Sequence, residues 1–211
     1  MAMLVLGKAC CLPHNSQTKP SVPDALQHRL SKIHVLTHTE LERLFTVITD
    51  LRDRAMFLVA YRHGLRASEV SLLRKTDIDL NRATIKIRRL TRRPSGVHTL
   101  QEDERLALRR YLRSRGDSSV ILFLGVRGQA ITRRGLDWLI KEYGLQAKIP
   151  SNKRHFHVLK HTVAIHLLKA GVELRDVHEW LGHTMLQSTA IYLYLVRPRA
   201  RREVPFRRRP E

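Results

Sequence analysis

Residues 157–192 of this chain read HVLKHTVAIHLLKAGVELRDVHEWLGHTMLQSTAIY. Apolar residues recur at helical spacing in the first part of this stretch, which predicts a helix over 158–170. Gly171 follows in the position where a glycine commonly ends a helix. A second helix is predicted over 174–181, and Gly182 ends it. The stretch is therefore expected to form two helices followed by a turn.

The polar side chains of this stretch are of the types that act on a phosphodiester. His157, Lys160 and His161 are three and four residues apart, which places them on one face of a helix. His183 falls on the turn, and Tyr192 lies on the last predicted helix. Cations and N–H donors stabilise the charge that builds on phosphate oxygens, and an activated tyrosine can act as the nucleophile. This chemistry needs no metal and no other cofactor.

The charge of the chain favours a polyanionic partner. Lys and Arg number 39 against 19 Asp and Glu, a net charge of +20, and cations that contact nucleic-acid phosphates release counterions. A basic ribosomal or membrane-surface protein would show the same excess, but no apolar run approaches the about 18–20 residues of a spanning helix. Cys10 and Cys11 are adjacent, which fits a reducing compartment, and the first residues lack the pattern of a signal peptide. We expect a cytoplasmic, nucleoid-associated protein.

The remaining patterns predict an α+β fold, mainly α-helical with a small antiparallel sheet. Residues 1–34 are predicted as a flexible tail in which 24–32 have a weak helical pattern, 35–197 as the catalytic domain, and 198–211 as a basic tail. Further helices are predicted around 41–48, 50–61, 67–73, 104–112, 136–140 and 188–196.

The sheet is predicted from alternating apolar and polar residues. Residues 84–88 alternate with the period of a half-buried strand, and 97–100 are the predicted hairpin partner. Residues 120–123 form a short apolar run that is either a third strand or a buried segment.

Four motifs in chain order resemble the tyrosine recombinase (phage integrase) family. They are Arg66 within HGLRASE, the run HVLKH, the run LGH that ends at His183, and Tyr192. The resemblance covers about residues 36–196. The short chain and its hairpin also resemble the small fimbrial phase-switch recombinases, which have only a catalytic domain.

The resemblance implies a role for each motif residue. Arg66 would bind a non-bridging oxygen of the scissile phosphate, His157 and Lys160 would contact the same phosphate, and His183 would donate a further hydrogen bond. Tyr192 would attack and form a 3′-phosphotyrosine with a free 5′ hydroxyl, so that each exchange conserves energy and needs no ATP. The implied enzyme is a site-specific recombinase or integrase of a mobile element.

Further residues and partners are expected to support this reaction. Glu69 would brace the site, and His161 would support it through hydrogen bonds. Candidates for DNA binding are Arg88, Arg89, Arg92, Arg93, Lys153 and Arg154, of which the four in the hairpin are predicted on a solvated face that contacts the DNA backbone. The family resemblance implies double-stranded DNA with specific recombination sites, a homotetramer on DNA and accessory DNA-bending proteins.

The sequence departs from the family pattern at two positions. The family has Arg where this chain has Lys160, and a lysine keeps the charge but lacks the planar fork that suits phosphate. The family also places a lysine in the hairpin loop as general acid, whereas residues 90–93 read LTRR and Lys86 lies inside the predicted strand. Arginine is a poor proton donor because its pKa exceeds about 12.

Other interpretations remain open. The two departures also fit a catalytically silent DNA-binding relative with a regulatory role, and a type IB topoisomerase shares the chemistry. His157, His161 and His183 would form a zinc site in a third interpretation, which Lys160 disfavours by repulsion. Tyr194 is the alternative nucleophile, and His161 and His166 are also expected as structural hydrogen-bonding residues.

Overall fold

A computed structural model describes residues 24–89 and 96–196, and within them the chain is mainly helical. The helices are α1 (Asp24–Ser31), α2 (His38–Val47), α3 (Leu51–Arg62), α4 (Ala67–Ser71), α5 (Glu102–Ser114), α6 (Arg133–Gln146), α7 (His157–Lys169), α8 (Leu174–Trp180), α9 (Gln187–Ala190) and α10 (Leu193–Val196). Short 3₁₀ turns cover Lys75–Asp77 and Ser151–Lys153. No helix in these described parts combines the length and apolarity that crossing a bilayer requires.

Along the sequence, the strands of a small antiparallel sheet lie between the first four described helices and the remaining six. Its strands are β1 (Ile78–Asp79), β2 (Thr84–Ile87) and β3 (Gly96–Thr99), in spatial order β1-β2-β3. Ile85 faces His98 across the hairpin, and Ile85 and Ile87 are buried while the lysine between them is exposed. The predicted α+β class and the predicted hairpin are confirmed.

The core gathers around the buried helix α3. Phe57 has no exposed surface, and its ring meets those of Phe156 and Tyr143 edge to face at centroid distances of 5.8 and 5.9 Å. Such aromatic contacts stabilise a core beyond the area that they bury. Because Phe156 directly precedes α7, this packing fixes the start of the helix that carries the HVLKH run.

The start of α2 follows its sequence pattern. The Thr37 hydroxyl accepts from the backbone N–H of Glu40 at 3.2 Å, and the Glu40 carboxylate accepts from the Thr37 N–H at 2.7 Å. This reciprocal capping box satisfies two N–H groups that the helix itself leaves unpaired.

Three sequence expectations differ from the structure. Residues 24–34, predicted within a flexible tail with a weak helical pattern over 24–32, contain α1, and Leu26, Leu30 and Ile33 pack against a buried cluster from α7, α8 and the turns that follow α8 and α9. The third strand is Ile78–Asp79; within 120–123, Leu122 and Phe123 are buried, Val120 is exposed, and Ile121 forms one isolated bridge to Arg74. The last helix is broken into α9 and α10 by a turn at Ile191 and Tyr192.

Candidate active site

Arg66 is positioned by a tight break after α3. Gly64 has a φ of +56°, and a Cβ there would clash with Leu181 and lie 3.3 Å from Val163 Cγ1, so the chain can approach α7 and α8 only with a glycine. Two residues later Arg66 begins α4, and the Glu69 carboxylate accepts from both its backbone N–H, at 2.8 Å, and its Nη1, at 3.1 Å. About a third of the Arg66 side chain stays exposed.

Arg89 holds the same carboxylate from the end of the hairpin. Its Nη1 donates to Glu69 Oε2 at 2.9 Å, and its Nη2 donates to the carbonyls of His63 and Trp180. Only 3% of the Arg89 side chain is exposed. The prediction of a solvated side chain is therefore wrong for Arg89: it braces Glu69, and through Glu69 the loop that carries Arg66.

A layer of largely buried polar and aromatic side chains lies beside the loop that carries Arg66. His63 Nε2 and Glu104 Oε1 lie 2.7 Å apart, and the His98 ring packs on Trp180 at 4.1 Å between centroids. Burial, and then the nearby His63 and Arg89, lower the pKa of His98 to about 3, so its ring is neutral near pH 7. Sequence reasoning missed this layer because its members come from four separate elements.

The HVLKH run occupies the first turn of α7, as predicted. The side chain of Lys160 is buried, with 1% of the residue exposed, and its Nζ donates to the carbonyl of Leu181 at 2.7 Å. Burial, and then the Arg66 cation, lower the pKa of Lys160 to about 7, while Glu69 opposes this change. Lys160 therefore joins α7 to the turn that precedes His183.

His157 lies beside Lys160 at the surface. Partial burial, followed by the Lys160 and Arg66 cations, lowers the pKa of His157, although its exposed ring remains in contact with water, which weakens the change. Its ring meets that of His161 edge to face at 4.9 Å. The run thus presents one exposed imidazole, one enclosed amine and one partly buried imidazole along the same face.

His183 is buried on the turn after α8. Gly182 has a φ of +60°, and the Thr189 hydroxyl lies 2.8 Å from His183 Nδ1 and 3.1 Å from His178 Nδ1. Burial, and then Lys160 and Arg66, lower the pKa of His183 to about 3, so the ring is neutral near pH 7. A neutral imidazole held through Nδ1 has its other nitrogen available as a hydrogen-bond donor or acceptor.

Tyr192 lies against both histidines. Its hydroxyl is 2.8 Å from His161 Nδ1, its ring is 6.3 Å from that of His183 between centroids, and 2% of the residue is exposed. Burial raises the pKa of Tyr192 to about 12, against the opposing effect of Arg66. In this conformation the effect of burial outweighs that of the Arg66 cation, so the hydroxyl is harder to deprotonate than that of a free tyrosine. Tyr194 is 57% exposed on α10.

Replacing Gly182 by alanine is expected to destabilise the fold and disturb Arg89. A Cβ at this position would lie 2.6 Å from Arg89 Nε and 2.8 Å from its Cδ, and the positive φ itself disfavours alanine. We expect a loss of about 1–3 kcal/mol in the free energy of unfolding, measured by thermal or denaturant unfolding. Gly171→Ala is the control, since its φ is also positive, at +88°, but nothing lies within 4 Å of its Cβ. Equal losses in the two variants would show that the Arg89 contact does not matter.

A cavity of about 560 Å³ opens beside Arg66 and His157. It is also lined by Arg133, Asp137 and Lys141, so α6 adds cations next to the exposed part of the site. The Arg133 side chain is 84% exposed, and its Nε lies 3.7 Å from Asp137 Oδ2. Sequence reasoning missed Arg133 and Lys141, which lie just outside the helix predicted around 136–140.

The other candidates for DNA binding already have partners within the protein. Arg88 donates to the Asp77 carboxylate through both Nε and Nη2, with Nη2 2.9 Å from Oδ1. Lys153 Nζ donates to Glu40 Oε2 at 2.7 Å. Arg154 Nε donates to the carbonyl of Ile149 at 2.6 Å. Arg92 and Arg93 lie outside the described residues.

The zinc interpretation gains no geometric support. Among residues 24–89 and 96–196, no three histidine, cysteine or acidic side chains are grouped as a metal site requires. His161 directs Nδ1 at Tyr192, and His166 accepts or donates at 2.8 Å to the Tyr61 hydroxyl. Both side chains make the structural hydrogen bonds that we expected of them.

Known proteins resemble this chain in sequence over most of its length. The sequence pattern of the phage integrase family matches residues 34–197. The fimbriae regulatory protein FimE of Escherichia coli K12 is 33% identical over 172 residues, which cover 77% of this chain and 86% of FimE. The tyrosine recombinase XerA of Thermococcus kodakarensis is 36% identical over 178 residues, 82% of this chain and 60% of XerA.

Solved structures share the fold. A crystal structure of XerA recombinase superposes with a TM-score of 0.69 at 27% identity, over 83% of this chain and 61% of that one. The site-specific recombinase XerH, in a post-cleavage complex with its difH substrate, superposes with a TM-score of 0.67 at 22% identity, over 77% of this chain and half of XerH. The chain thus spans all but a small part of FimE and about half to three fifths of the Xer proteins. It belongs to the phage integrase family and folds as a tyrosine recombinase catalytic domain.

Proposed function

We propose that this protein breaks and rejoins DNA at a specific sequence, with Tyr192 as the nucleophile. One observation carries the proposal most: the motifs that are far apart in the sequence meet around one tyrosine. His161 is hydrogen-bonded to its hydroxyl and His183 packs beside its ring, while Arg66 is close enough to lower its pKa.

Each cationic or imidazole group has a distinct part in the reaction. The exposed end of Arg66, braced by Glu69, binds a non-bridging oxygen of the phosphate, where preorganised charge lowers the barrier most. His157 and His183 donate hydrogen bonds to the same group. The oxygen of Tyr192 attacks phosphorus, and a 3′-phosphotyrosine replaces the phosphodiester.

His161 receives the proton of the nucleophile. Its Nδ1 lies 2.8 Å from the Tyr192 hydroxyl oxygen, and burial, followed by His157 and other nearby groups, lowers the pKa of His161 to about 3, so the ring is neutral. A base with so low a pKa takes the proton only when a bound phosphate anion raises that pKa. The same contact holds the tyrosine in a buried position. We expect DNA binding to shift the two short helices α9 and α10, because a hydroxyl on a residue 2% exposed does not reach a phosphate.

DNA binds across the open side of the site. Arg133 and Lys141 line the cavity beside Arg66, and phosphate contacts of this kind position a duplex without reading its sequence. Arg92 and Arg93 are further candidates for contacts to the DNA backbone on the ground of their charge alone. A homotetramer on two duplexes, with accessory DNA-bending proteins and action on the nucleoid, completes the proposal.

Covalent capture tests the function and identifies the target sequence in the same experiment. Purified protein is incubated with nicked fragments of genomic DNA from its source, denatured, and recovered with any strand that remains attached. We expect adducts whose strands end at one sequence flanked by inverted repeats. Tight, salt-sensitive DNA binding without any adduct would instead support a silent regulatory relative, and relaxation of supercoiled DNA with scattered end points would support a topoisomerase.

A further inference from the structure

The geometry points to Lys160 as the proton donor to the departing 5′ oxygen, an inference that rests on the proposed function of the site. Lys160 was expected only to hold the phosphate. Its surroundings suit a different task, because the amine is enclosed on the same face of α7 as the exposed His157 and next to the turn that carries His183.

Lysine and arginine occupy different positions in this chain than in the family pattern. Where the family has an arginine on this helix, the chain has Lys160, and where the family has a hairpin lysine, the chain has Thr91, Arg92 and Arg93. A guanidinium keeps its proton at any ordinary pH, so neither hairpin arginine serves as a general acid. If a side chain protonates the leaving oxygen, Lys160 on α7 takes the role that the hairpin lysine has in the family.

The hydrogen bonds of Lys160 leave it able to donate. One N–H of the ammonium is directed at the Leu181 carbonyl at 2.7 Å, and among the described residues this is its only hydrogen-bond partner. Lys160 is 1% exposed, so, like Tyr192, it reaches a docked phosphate ester only after the shift of α9 and α10 that we expect on DNA binding, and its other two N–H bonds then donate to that ester. Arg66, Arg89 and Glu69 are the charged groups that act on the amine from α4 and the hairpin.

The other groups of the site are less suited to this step. Burial and nearby charges lower the pKa values of His161 and His183 to about 3, so these two rings are neutral near pH 7 and hold no readily released proton. The pKa of the exposed His157 is lowered in the same direction from an ordinary value already below 7, so its ring is also mostly neutral at that pH. Arg66 does not release its proton. Lys160, whose pKa lies near 7, is charged in part of the population and gives up its proton easily; a bound phosphate anion raises that charged fraction.

The proposed step balances in protons and electrons. The bond between the Tyr192 oxygen and phosphorus forms while the bond between phosphorus and the 5′ oxygen breaks. His161 takes the proton of Tyr192, and the proton of Lys160 goes to the 5′ oxygen to give a free hydroxyl and a neutral amine. In rejoining, the neutral amine takes the proton back from the attacking hydroxyl, and His161 returns its proton to the tyrosine.

A substrate with a better leaving group separates proton donation from the other roles. The probe is a duplex of the sequence recovered by covalent capture, with sulfur in place of the bridging 5′ oxygen, because a thiolate departs without protonation. Lys160→Met is expected to slow cleavage of the oxygen ester by about 10²- to 10⁴-fold, the usual contribution of a general acid. On the sulfur ester the same variant should cleave within a few-fold of the unmutated protein.

Lys160→Arg is the decisive companion variant, because it keeps the positive charge and loses the releasable proton. We expect it to be slow on the oxygen ester and close to the unmutated protein on the sulfur ester. It also carries the test alone if Lys160→Met does not fold. The matched control is Arg66→Ala, which removes charge stabilisation and should be slow on both esters.

The pH dependence gives a second readout. Cleavage of the oxygen ester should fall as pH rises through the pKa of Lys160 in the complex, because only the protonated amine donates, and the sulfur ester should lack this falling limb. Full activity of Lys160→Arg on the oxygen ester, or equal slowing of both esters in Lys160→Met, would overturn the inference while Tyr192 chemistry stands. Failure of the unmutated protein on both esters would instead overturn the proposed function.

Discussion

Replacing Tyr192 by phenylalanine is expected to abolish covalent protein–DNA adducts while leaving DNA binding intact. The change removes only the hydroxyl group, and its oxygen is the atom that would attack phosphorus. Because the ring remains, its packing beside His183 is kept, and the lost hydrogen bond to His161 should lower the free energy of unfolding by only about 1 kcal/mol. Adducts are measured by gel shift under denaturing conditions on nicked duplexes.

Tyr194→Phe is the matched control for this experiment. Tyr194 lies two residues further on, is 57% exposed, and has the same chemical group removed. We expect its adduct yield to equal that of the unmutated protein. Adducts that persist in Tyr192→Phe and vanish in Tyr194→Phe would move the nucleophile to Tyr194 and contradict the site described above.

Glu69→Gln is expected to cause the largest loss of stability among changes in the site. The Glu69 carboxylate is 1% exposed and pairs with two guanidiniums, of Arg66 at 3.1 Å and of Arg89 at 2.9 Å. Neutralising it leaves Arg89 buried and unpaired, which typically costs about 3–5 kcal/mol. Arg66 also loses its brace, so we expect adduct formation to fall even at temperatures where the variant is folded.

Two further variants make this prediction specific. Glu102→Gln removes an exposed glutamate that pairs with Arg105 at 2.9 Å, and surface pairs of this kind contribute about 0–1 kcal/mol. The double variant Glu69→Gln, Arg89→Met should lose less stability than the sum of the two single changes, because it no longer buries an unpaired cation. Additive losses, measured by denaturant unfolding, would show that Glu69 and Arg89 do not interact.

Much of the fold follows from local pattern. The capping box at Thr37 and the alternation in β2 each reflect interactions within a few residues, and both are observed. The break at Tyr192 has a tertiary cause that the helical pattern of 188–196 does not contain. There the hydroxyl is held by His161 and the ring lies beside His183, both from outside the segment.

The sequence predicted which residues form the site better than it predicted their burial and their pKa values. The spacing within HVLKH placed His157 and Lys160 on one face of a helix, as the structure has them. Nothing in the sequence signalled that Arg89 is enclosed by Glu69 and the carbonyl of Trp180, because that pairing joins residues from separate elements. The same holds for Tyr192, whose burial raises its pKa although the Arg66 cation lowers it.

The identity of the DNA-linked residue is the most direct measurement of the proposed chemistry. Captured adducts are digested with nuclease and protease, and the nucleotide-bearing peptide is sequenced by tandem mass spectrometry. The proposed reaction predicts a nucleotide joined through its 3′ phosphate to Tyr192, and a released strand whose 5′ hydroxyl a kinase labels without a dephosphorylation step. A nucleotide on another side chain, or a link through a 5′ phosphate, would contradict it.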